Sequence, residues 1–373
     1  RDLHSLRRRQ ASDVYKRQRR DLPGGAVERD ESGEPTGLLL ESAVDAVLSE
    51  MPRPSPRELA DLVEEVLREA ASLGLTCVHN MPWPPLWREE AAALRILRRE
   101  GRLPIRVRAY SPPWAPPLLR RGRGDPMLRF VGVKLMADGS LGARTAALRE
   151  PYSDDPGNSG RMILSERAIR LVCRLAELAG LQAAVHAIGD RALEAVLRAF
   201  SRLRRPRAHR VEHASVAPPD LIEEAARLGC WVVVQPRFVV SDFWVGERLG
   251  ERARWAYPFR SMLEAGVRLA ASSDCPVEPL DPLSGIRAAV DRPGPEAISE
   301  GEAVSLYTSS AAAVTGEADR GVLRPGAAAD LTVLSSLPAG RARVEATIVA
   351  SRVAFDGAGI FRGRLPDGIC GSR

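Results

Sequence analysis

Lysine is scarce in this chain, and one lysine stands where its chemistry would matter. Of 54 lysine and arginine side chains, only Lys16 and Lys134 are lysine, and Lys134 ends an apolar, strand-like run. A buried lysine can lose its proton, whereas the guanidinium group of arginine effectively cannot. Lys134 is therefore a candidate for Schiff-base formation, general-base catalysis or carbamylation by carbon dioxide, with an ordinary surface lysine as the alternative.

Two histidines and an aspartate also lie at the carboxyl ends of predicted strands. His186 and His213 each end a strand-like run, and Asp274 follows the last run. In a barrel of parallel strands these ends converge on one rim, where active sites are built. Imidazole and carboxylate groups are good ligands for divalent metals such as zinc. We therefore predict one or two divalent ions, with zinc favoured, held by Lys134, His186, His213 and Asp274; for each histidine taken alone, an ordinary core or loop position is the alternative.

Two further histidines receive different interpretations. His209 lies four residues before His213 on the same predicted strand, so the two residues are roughly 13 Å apart at about 3.3 Å per residue. Since both cannot hold one metal, His209 is interpreted as a residue at the base of the strand. His79 ends the first predicted strand; it could line the pocket, but a structural or supporting role is favoured.

Polar residues that directly follow two of the candidate ligands are weaker candidates for the same site. The residues in the loop after Lys134 would shape a substrate pocket. The residues after His186 would contact that histidine and hold it in position. For each of them a turn or an ion pair is an equally good interpretation. These residues are Asp138, Ser140, Arg144, Asp190 and Arg191.

The elements that must position these residues alternate between strand-like and helix-like segments. Such alternation predicts a parallel sheet with helical crossovers, and seven units are one short of a (β/α)8 barrel. A doubly wound open sheet is the alternative, but no glycine-rich phosphate loop follows any of the runs. The predicted strands are 75–79, 105–110, 130–135, 181–186, 210–213, 231–235 and 267–272.

The chain divides into three predicted segments. Residues 1–18 are interpreted as a non-native, adapter-like segment because residues 11–18 resemble the translated end of a transposon used in library preparation; a genuine basic arm is the alternative. Residues 19–318 form the incomplete barrel. Residues 319–373 contain short β pieces with turns, typical of a small sheet domain followed by a tail.

Charge and composition exclude several classes of protein. The net charge of +6 resides in the first 20 residues, so the rest of the chain is neutral and lacks the basic surface of a nucleic-acid binder. No apolar stretch approaches the roughly 20 residues needed to span a membrane. The five cysteines have no paired spacing, which favours a reducing cytoplasm.

At the candidate residues the chain resembles amidohydrolase family 3, the YtcJ-like metal-dependent hydrolases. The resemblance runs in order from about residue 22 to residue 355. The segments that carry it are PGG from Pro23 with PTG from Pro35, KLMADGSLG from Lys134, HAIGDRA from His186, RVEHA from Arg210, SDCPV from Ser273 and LRPGAAADL from Leu323.

The resemblance implies a TIM-like barrel flanked by a small β-sandwich and a hydrolase that cleaves carbon–nitrogen bonds in small amide-type substrates. It implies that Lys134 carries a carbon dioxide-derived carbamate that bridges the metal ions, and that His186 and His213 are ligands. Asp274 would be a ligand that also moves protons, while a metal-bound hydroxide attacks the carbonyl carbon. A homo-oligomer is compatible with this assignment.

One departure from the family pattern is large. The family carries a His-x-His pair at the end of its first barrel strand, and this chain contains no such pair. We therefore expect the chain to be N-terminally truncated, to lack that strand and to be inactive by itself, and we assign the function to the intact parent protein. The alternative is an inactive fragment or a non-catalytic protein that binds ligands at the barrel mouth.

Overall fold

The structure, a computed structural model, describes residues 25–41, 43–44, 53–81, 84–114, 125–338 and 341–361. It begins with an antiparallel hairpin of β1 (Gly25–Arg29) and β2 (Pro35–Glu41). The Asp30 carboxylate closes the turn by accepting hydrogen bonds from the backbone N–H groups of Ser32 and Glu34. This hairpin was not among the elements predicted from the sequence.

A parallel sheet of seven strands forms the centre of the molecule. Every predicted strand is present within two residues of its expected bounds, and the strands pair in chain order. That order excludes the doubly wound alternative, which reverses direction at a switch point. The predicted incomplete TIM-like barrel is thus confirmed. Its strands are β3 (Cys77–Asn80), β4 (Arg106–Ser111), β5 (Leu128–Met136), β6 (Gln182–Ala187), β7 (Arg210–His213), β8 (Trp231–Val234) and β9 (Arg268–Ala271).

Helices connect the strands and pack against the sheet through their apolar faces. Within the described residues, no helix combines the length and the apolar character that a membrane crossing requires. The helices are α1 (Pro56–Ser72), α2 (Trp87–Arg99), α3 (Glu166–Leu178), α4 (Asp190–Ser201), α5 (Pro219–Leu228), α6 (Phe238–Ser241), α7 (Val245–Leu249), α8 (Phe259–Glu264), α9 (Pro282–Val290), α10 (Glu300–Tyr307) and α11 (Ser309–Val314).

Local sequence signals set the start of several helices. Ser55 and Glu58 form a reciprocal capping box at α1, with Pro56 in the first turn, and Ser165 caps α3 by accepting a hydrogen bond from the Ala168 N–H. Such caps satisfy N–H groups that have no partner inside the helix. Each cap therefore defines the residue at which the preceding loop ends and the helix begins.

The sheet stays open on one side. In the described part of the chain, β3 pairs only with β4 and β9 pairs only with β8. A closed barrel would require a further strand between these two edges. The cavity described below is lined by residues from both edges, so the gap and the candidate site are continuous.

A small antiparallel sheet follows the helices, as the short β pieces and turns in the sequence predicted. It consists of β10 (Leu331–Leu334), β11 (Val344–Val349) and β12 (Arg352–Asp356). Two buried ion pairs fasten this end of the chain to β4. Arg106 donates to Asp330 with N···O distances of 2.6 and 2.9 Å, and Arg108 donates to Glu317 with distances of 2.8 and 2.9 Å.

Candidate metal centre

The four predicted ligands line a single cavity of about 1540 Å³. Lys134 lies near the end of β5, His186 in β6 and His213 at the end of β7, while Asp274 is the third residue after β9. The strand register pairs Lys134 with Ala184 and Ala187 with His213. Parallel pairing therefore brings side chains that are up to 140 residues apart in sequence to one rim, as predicted.

Backbone strain coincides with two of these residues. His213 has a φ of 75° and Asp274 a φ of 60°, in the left-handed region that non-glycine residues seldom adopt. Residues held there cost on the order of 1–3 kcal/mol and cluster at functional sites. At His213 the bend directs the chain out of β7, and the next N–H, that of Ala214, donates to the Ala187 carbonyl at 2.9 Å.

The two imidazole rings meet edge to face, with their centroids 4.5 Å apart. Nε2 of His186 lies 2.9 Å from the Gly139 carbonyl oxygen, and Nδ1 of His213 lies 2.7 Å from Oε1 of Gln235. Since these oxygens only accept hydrogen bonds, each of the two nitrogens must carry the proton. The lone pairs then belong to Nδ1 of His186 and Nε2 of His213, as metal ligation requires.

Burial sets the charge of these groups. It lowers the pKa of His213 to about 3 and that of His186 well below its ordinary value, with nearby cationic and imidazole groups adding to the effect. Burial also lowers the pKa of Lys134, against the opposing influence of Glu212 and Asp274. Both imidazoles are therefore neutral at pH 7, and the Lys134 amine loses its proton more readily than an exposed one.

Burial shifts the pKa of Asp274 in the opposite direction from that of the histidines and of Lys134. Burial raises its pKa to about 6, although the Lys134 ammonium acts to lower it. A carboxylate in that range can both take up and release a proton near neutral pH. Such a carboxylate also gains stability from a bound cation, because its charge is poorly solvated without one.

The donor atoms at the candidate site are of the chemical kind that divalent metals bind. Within the described ranges, no three histidine, cysteine, aspartate or glutamate side chains come together as a metal cluster. Two neutral imidazoles and one carboxylate are nitrogen and oxygen donors of the kind zinc accepts. An anionic derivative of Lys134 would supply the additional oxygen donors.

A buried ion pair that sequence analysis missed also faces the cavity. Arg210 donates to Glu212 two residues along β7, and its guanidinium group lies over the Tyr110 ring, with Cζ 4.8 Å from the ring centroid. Arg210 also lies 2.9 Å from Nδ1 of His79. His79 therefore lines the cavity while bonded to Arg210. The signal was the i, i+2 spacing of two charged residues in a buried strand.

Asp138 is fully buried and does not line the cavity. Its carboxylate accepts hydrogen bonds from the backbone N–H groups of Ala147, Ile188 and Gly189 at 2.9, 3.0 and 2.9 Å. Oδ1 of the same carboxylate lies 3.5 Å from Nε2 of His186. Asp138 thus binds the loop after β5 to the turn after β6, directly behind a candidate ligand.

The other loop candidates are divided between the cavity and its surroundings. Ser140 lines the cavity, whereas Arg144 pairs with Asp154 at 2.9 Å on the outer side of the loop. Asp190 is buried at the start of α4 and accepts from the backbone N–H of Arg149 at 2.8 Å. Arg191 donates to the Gly160 carbonyl at 3.3 Å. Arg144, Asp190 and Arg191 hold loops, and the structure does not bring them to the cavity.

Aromatic side chains form the wall beside His213. The Phe238 ring stacks on the His213 ring, with centroids 6.2 Å apart and planes 14° apart, and Tyr257 meets Phe238 edge-on. Trp244 lines the same cavity, and the Tyr257 hydroxyl donates to Asp242. The cavity therefore combines an apolar wall with a polar floor, a combination typical of small-molecule sites.

Known proteins resemble this chain over most of its length. Residues 5–358 match the model of the amidohydrolase family. YtcJ from Bacillus subtilis (strain 168) is 36% identical over 344 residues, which cover 85% of this chain and 64% of that protein. N-substituted formamide deformylase from Arthrobacter pascens is 26% identical, over 84% of this chain and 63% of its own length.

A solved structure shows the same fold. An uncharacterized metal-dependent hydrolase from Pyrococcus furiosus superposes with a TM-score of 0.73 at 36% identity, covering 84% of this chain and 67% of that one. The chain spans less than two thirds of the length of the curated relatives named above. The match over nearly the whole chain and the shared fold show that this chain belongs to the amidohydrolase family.

Proposed function

We propose that Lys134, His186, His213 and Asp274 form part of the metal centre of a hydrolase that cleaves carbon–nitrogen bonds in small amide-type substrates. The observation that carries the proposal is the pair of neutral imidazoles, each with one nitrogen bonded to an oxygen, beside a lysine and a carboxylate in one cavity. The name of the formamide deformylase relative supports this choice of bond.

Each residue has a distinct role in this proposal. One or two divalent ions, zinc being favoured, supply Lewis acidity and make a nearby water more acidic. His186 and His213 hold the metal through their free nitrogens. Asp274 accepts the proton of the attacking water and returns it to the leaving amine, a transfer suited to its pKa of about 6.

Lys134 contributes through carbamylation in this proposal. Its neutral amine attacks the carbon of carbon dioxide, a nitrogen–carbon bond forms, and one proton is released. The product is an anion with two oxygen donors in place of a cation, which suits a site that binds divalent ions. The lowered pKa of Lys134 favours the neutral amine that this reaction needs.

The open side of the sheet supports placing the activity in a longer protein. The edges of β3 and β9 lack a further partner in the described residues, and the cavity reaches both. We propose that a strand carrying the His-x-His pair fills this gap in the parent protein and adds two imidazole ligands. The greater length of the relatives is consistent with such an addition.

The test is hydrolysis of a panel of N-formyl and N-acetyl amines by the full-length protein, before and after metal removal. Activity should disappear with chelation and return with zinc. We expect Lys134→Arg to lower kcat/KM by about a hundredfold or more, because arginine keeps the charge but cannot form the carbamate. The matched control, Arg198→Gln, removes an exposed guanidinium group that pairs only with Glu194 among the described residues.

Two results would overturn parts of this proposal. Unchanged activity in Lys134→Arg would exclude the carbamate. Zinc binding without hydrolysis of any amide in the panel would instead favour a non-catalytic protein that binds ligands at the barrel mouth.

A further inference from the structure

Gln235, the residue after β8, is almost fully buried and does not line the cavity. Its Oε1 lies 2.7 Å from Nδ1 of His213. Its Nε2 donates to the Val233 carbonyl at 3.1 Å and to the Ser272 hydroxyl oxygen at 3.0 Å. Gln235 thus joins the end of β7, its own strand and the segment after β9 from behind the candidate centre.

The partners of Gln235 fix the orientation of its amide group. If the amide were rotated by 180°, Oε1 would face the Val233 carbonyl, and two acceptors would meet without a hydrogen. The donor must therefore face Val233 and Ser272, which leaves the acceptor facing His213. Because Oε1 only accepts, the proton of neutral His213 must reside on Nδ1.

The hydrogen bond with Gln235 differs in its effect from the other contacts of the His213 ring. Phe238 stacks on one face of the ring, and the edge contact with His186 limits its position on another side. Neither contact selects which nitrogen carries the proton. Among the described residues, Gln235 is the one side chain hydrogen-bonded to the His213 ring.

We propose that Gln235 is a positioning residue that fixes the Nδ1–H tautomer of His213 and so presents the Nε2 lone pair to the cavity. Its consequence for metal binding rests on the function proposed above, whereas its effect on the tautomer does not. Residues that orient a histidine ligand in this way change metal affinity by about 10–100-fold when replaced.

The tautomer can be read directly from the side-chain nitrogen shifts of ¹⁵N-histidine-labelled, metal-free protein. The chain has five histidines, and His213→Gln identifies the signals of His213. We expect Nδ1–H in the unsubstituted protein. In Gln235→Met, which offers no acceptor, we expect a shift toward the Nε2–H form.

Gln182→Met is the matched control. Gln182 is also a glutamine in this sheet with an amide that bonds to backbone carbonyls, those of Ala208 and Val314, but it does not contact His213. Its loss should leave the His213 signals unchanged. If Gln235→Met fails to fold, Gln235→Asn provides the test, since it keeps the amide but is one methylene too short to reach the ring.

Two measurements separate the failure of this inference from failure of the proposed function. The inference would be overturned if His213 carried its proton only on Nδ1 in folded Gln235→Met, whatever the zinc result. The same holds for Gln235→Asn if that variant has to be used instead. Zinc affinity measured by competition with a chelating dye should fall about 10–100-fold in Gln235→Met and far less in Gln182→Met. An unsubstituted protein that binds no zinc, but whose tautomer shifts in Gln235→Met, would contradict the proposed metal centre and leave the role of Gln235 intact.

Discussion

A histidine that binds a metal must be uncharged and must direct a lone pair at the ion. His186 and His213 meet the first condition through burial, which lowers the pKa of each. They meet the second through an oxygen that accepts from the other ring nitrogen. These properties depend on the immediate surroundings of single residues, so pH and point substitutions can test them without any substrate.

The pH dependence of stability should reveal the buried state of His213. Its pKa is about 3 in the folded protein and near 6.5 in an unfolded chain. Between these values the unfolded state binds the additional proton, so the free energy of unfolding falls as the pH drops. We expect His213→Gln to lessen this fall, measured by urea denaturation of metal-free protein.

Asp274 provides the control of opposite sign. Its pKa of about 6 lies above the ordinary value of 3.8, so the folded state binds the additional proton between these values. This proton uptake offsets part of the loss of stability at acid pH. Asp274→Asn should therefore make the fall steeper. The same pH slope in all three proteins would contradict the assigned environments of both residues.

At the scale of elements, the loop after β5 and the turn after β6 behave as one unit because Asp138 bonds to both. A close approach adds to this connection, since a Cβ atom on Gly189 would lie 2.0 Å from the Ala147 carbonyl oxygen. Glycine is therefore required where the two segments touch. The unit lies behind His186, so its integrity should affect both stability and the position of the His186 side chain.

Substitution of Asp138 tests this unit. Asp138→Ala leaves three buried backbone N–H groups without an acceptor, and each such group costs about 1–3 kcal/mol. We expect the free energy of unfolding to fall by about 3 kcal/mol or more in urea denaturation. Asp319→Ala, at an exposed aspartate, should change it by less than about 0.5 kcal/mol. Similar small effects in both variants would show that Asp138 does not hold the loops together.

The sequence contained enough information to locate the strand ends and therefore four of the residues at the site. Continuous apolar runs such as those before Lys134 and His186 belong to buried parallel strands, and the ends of such strands share a rim. It did not show the roles of Gln235 or Asp138, because their partners come from strands and turns distant in sequence. Both faces of a parallel strand are buried, so the apolar pattern does not show which face a residue lies on. The Arg210–Glu212 pair could therefore not be recognised from the sequence.

At the scale of the whole molecule, the C-terminal segment and the barrel are held together by buried charges. Arg108 is fully buried and pairs with Glu317, which also accepts from Arg129 and Arg320. A carboxylate with several guanidinium partners is well compensated, but the loss of one partner leaves an uncompensated buried charge. Glu317 and Arg320 also line the cavity, whereas Arg108 does not, so the loss of Arg108 should act on stability.

The Arg108–Glu317 pair gives a prediction for the molecule as a unit. We expect Arg108→Ala to lower the free energy of unfolding by about 3–5 kcal/mol, the usual effect of breaking a buried pair. Arg343→Ala, which removes an exposed pair with Glu345, should change it by less than about 1 kcal/mol. Thermal unfolding followed by circular dichroism provides the comparison, and equal effects would contradict a fastening role for Arg108.

The most direct test of the central claim is a crystal structure of the full-length protein grown with zinc and bicarbonate, with anomalous data collected at the zinc edge. We predict an anomalous peak coordinated by Nδ1 of His186 and Nε2 of His213, with Asp274 and a carbamylated Lys134 at the same ion or ions. Zinc bound elsewhere, or an ordered pair of histidines with no anomalous peak between them, would contradict the account.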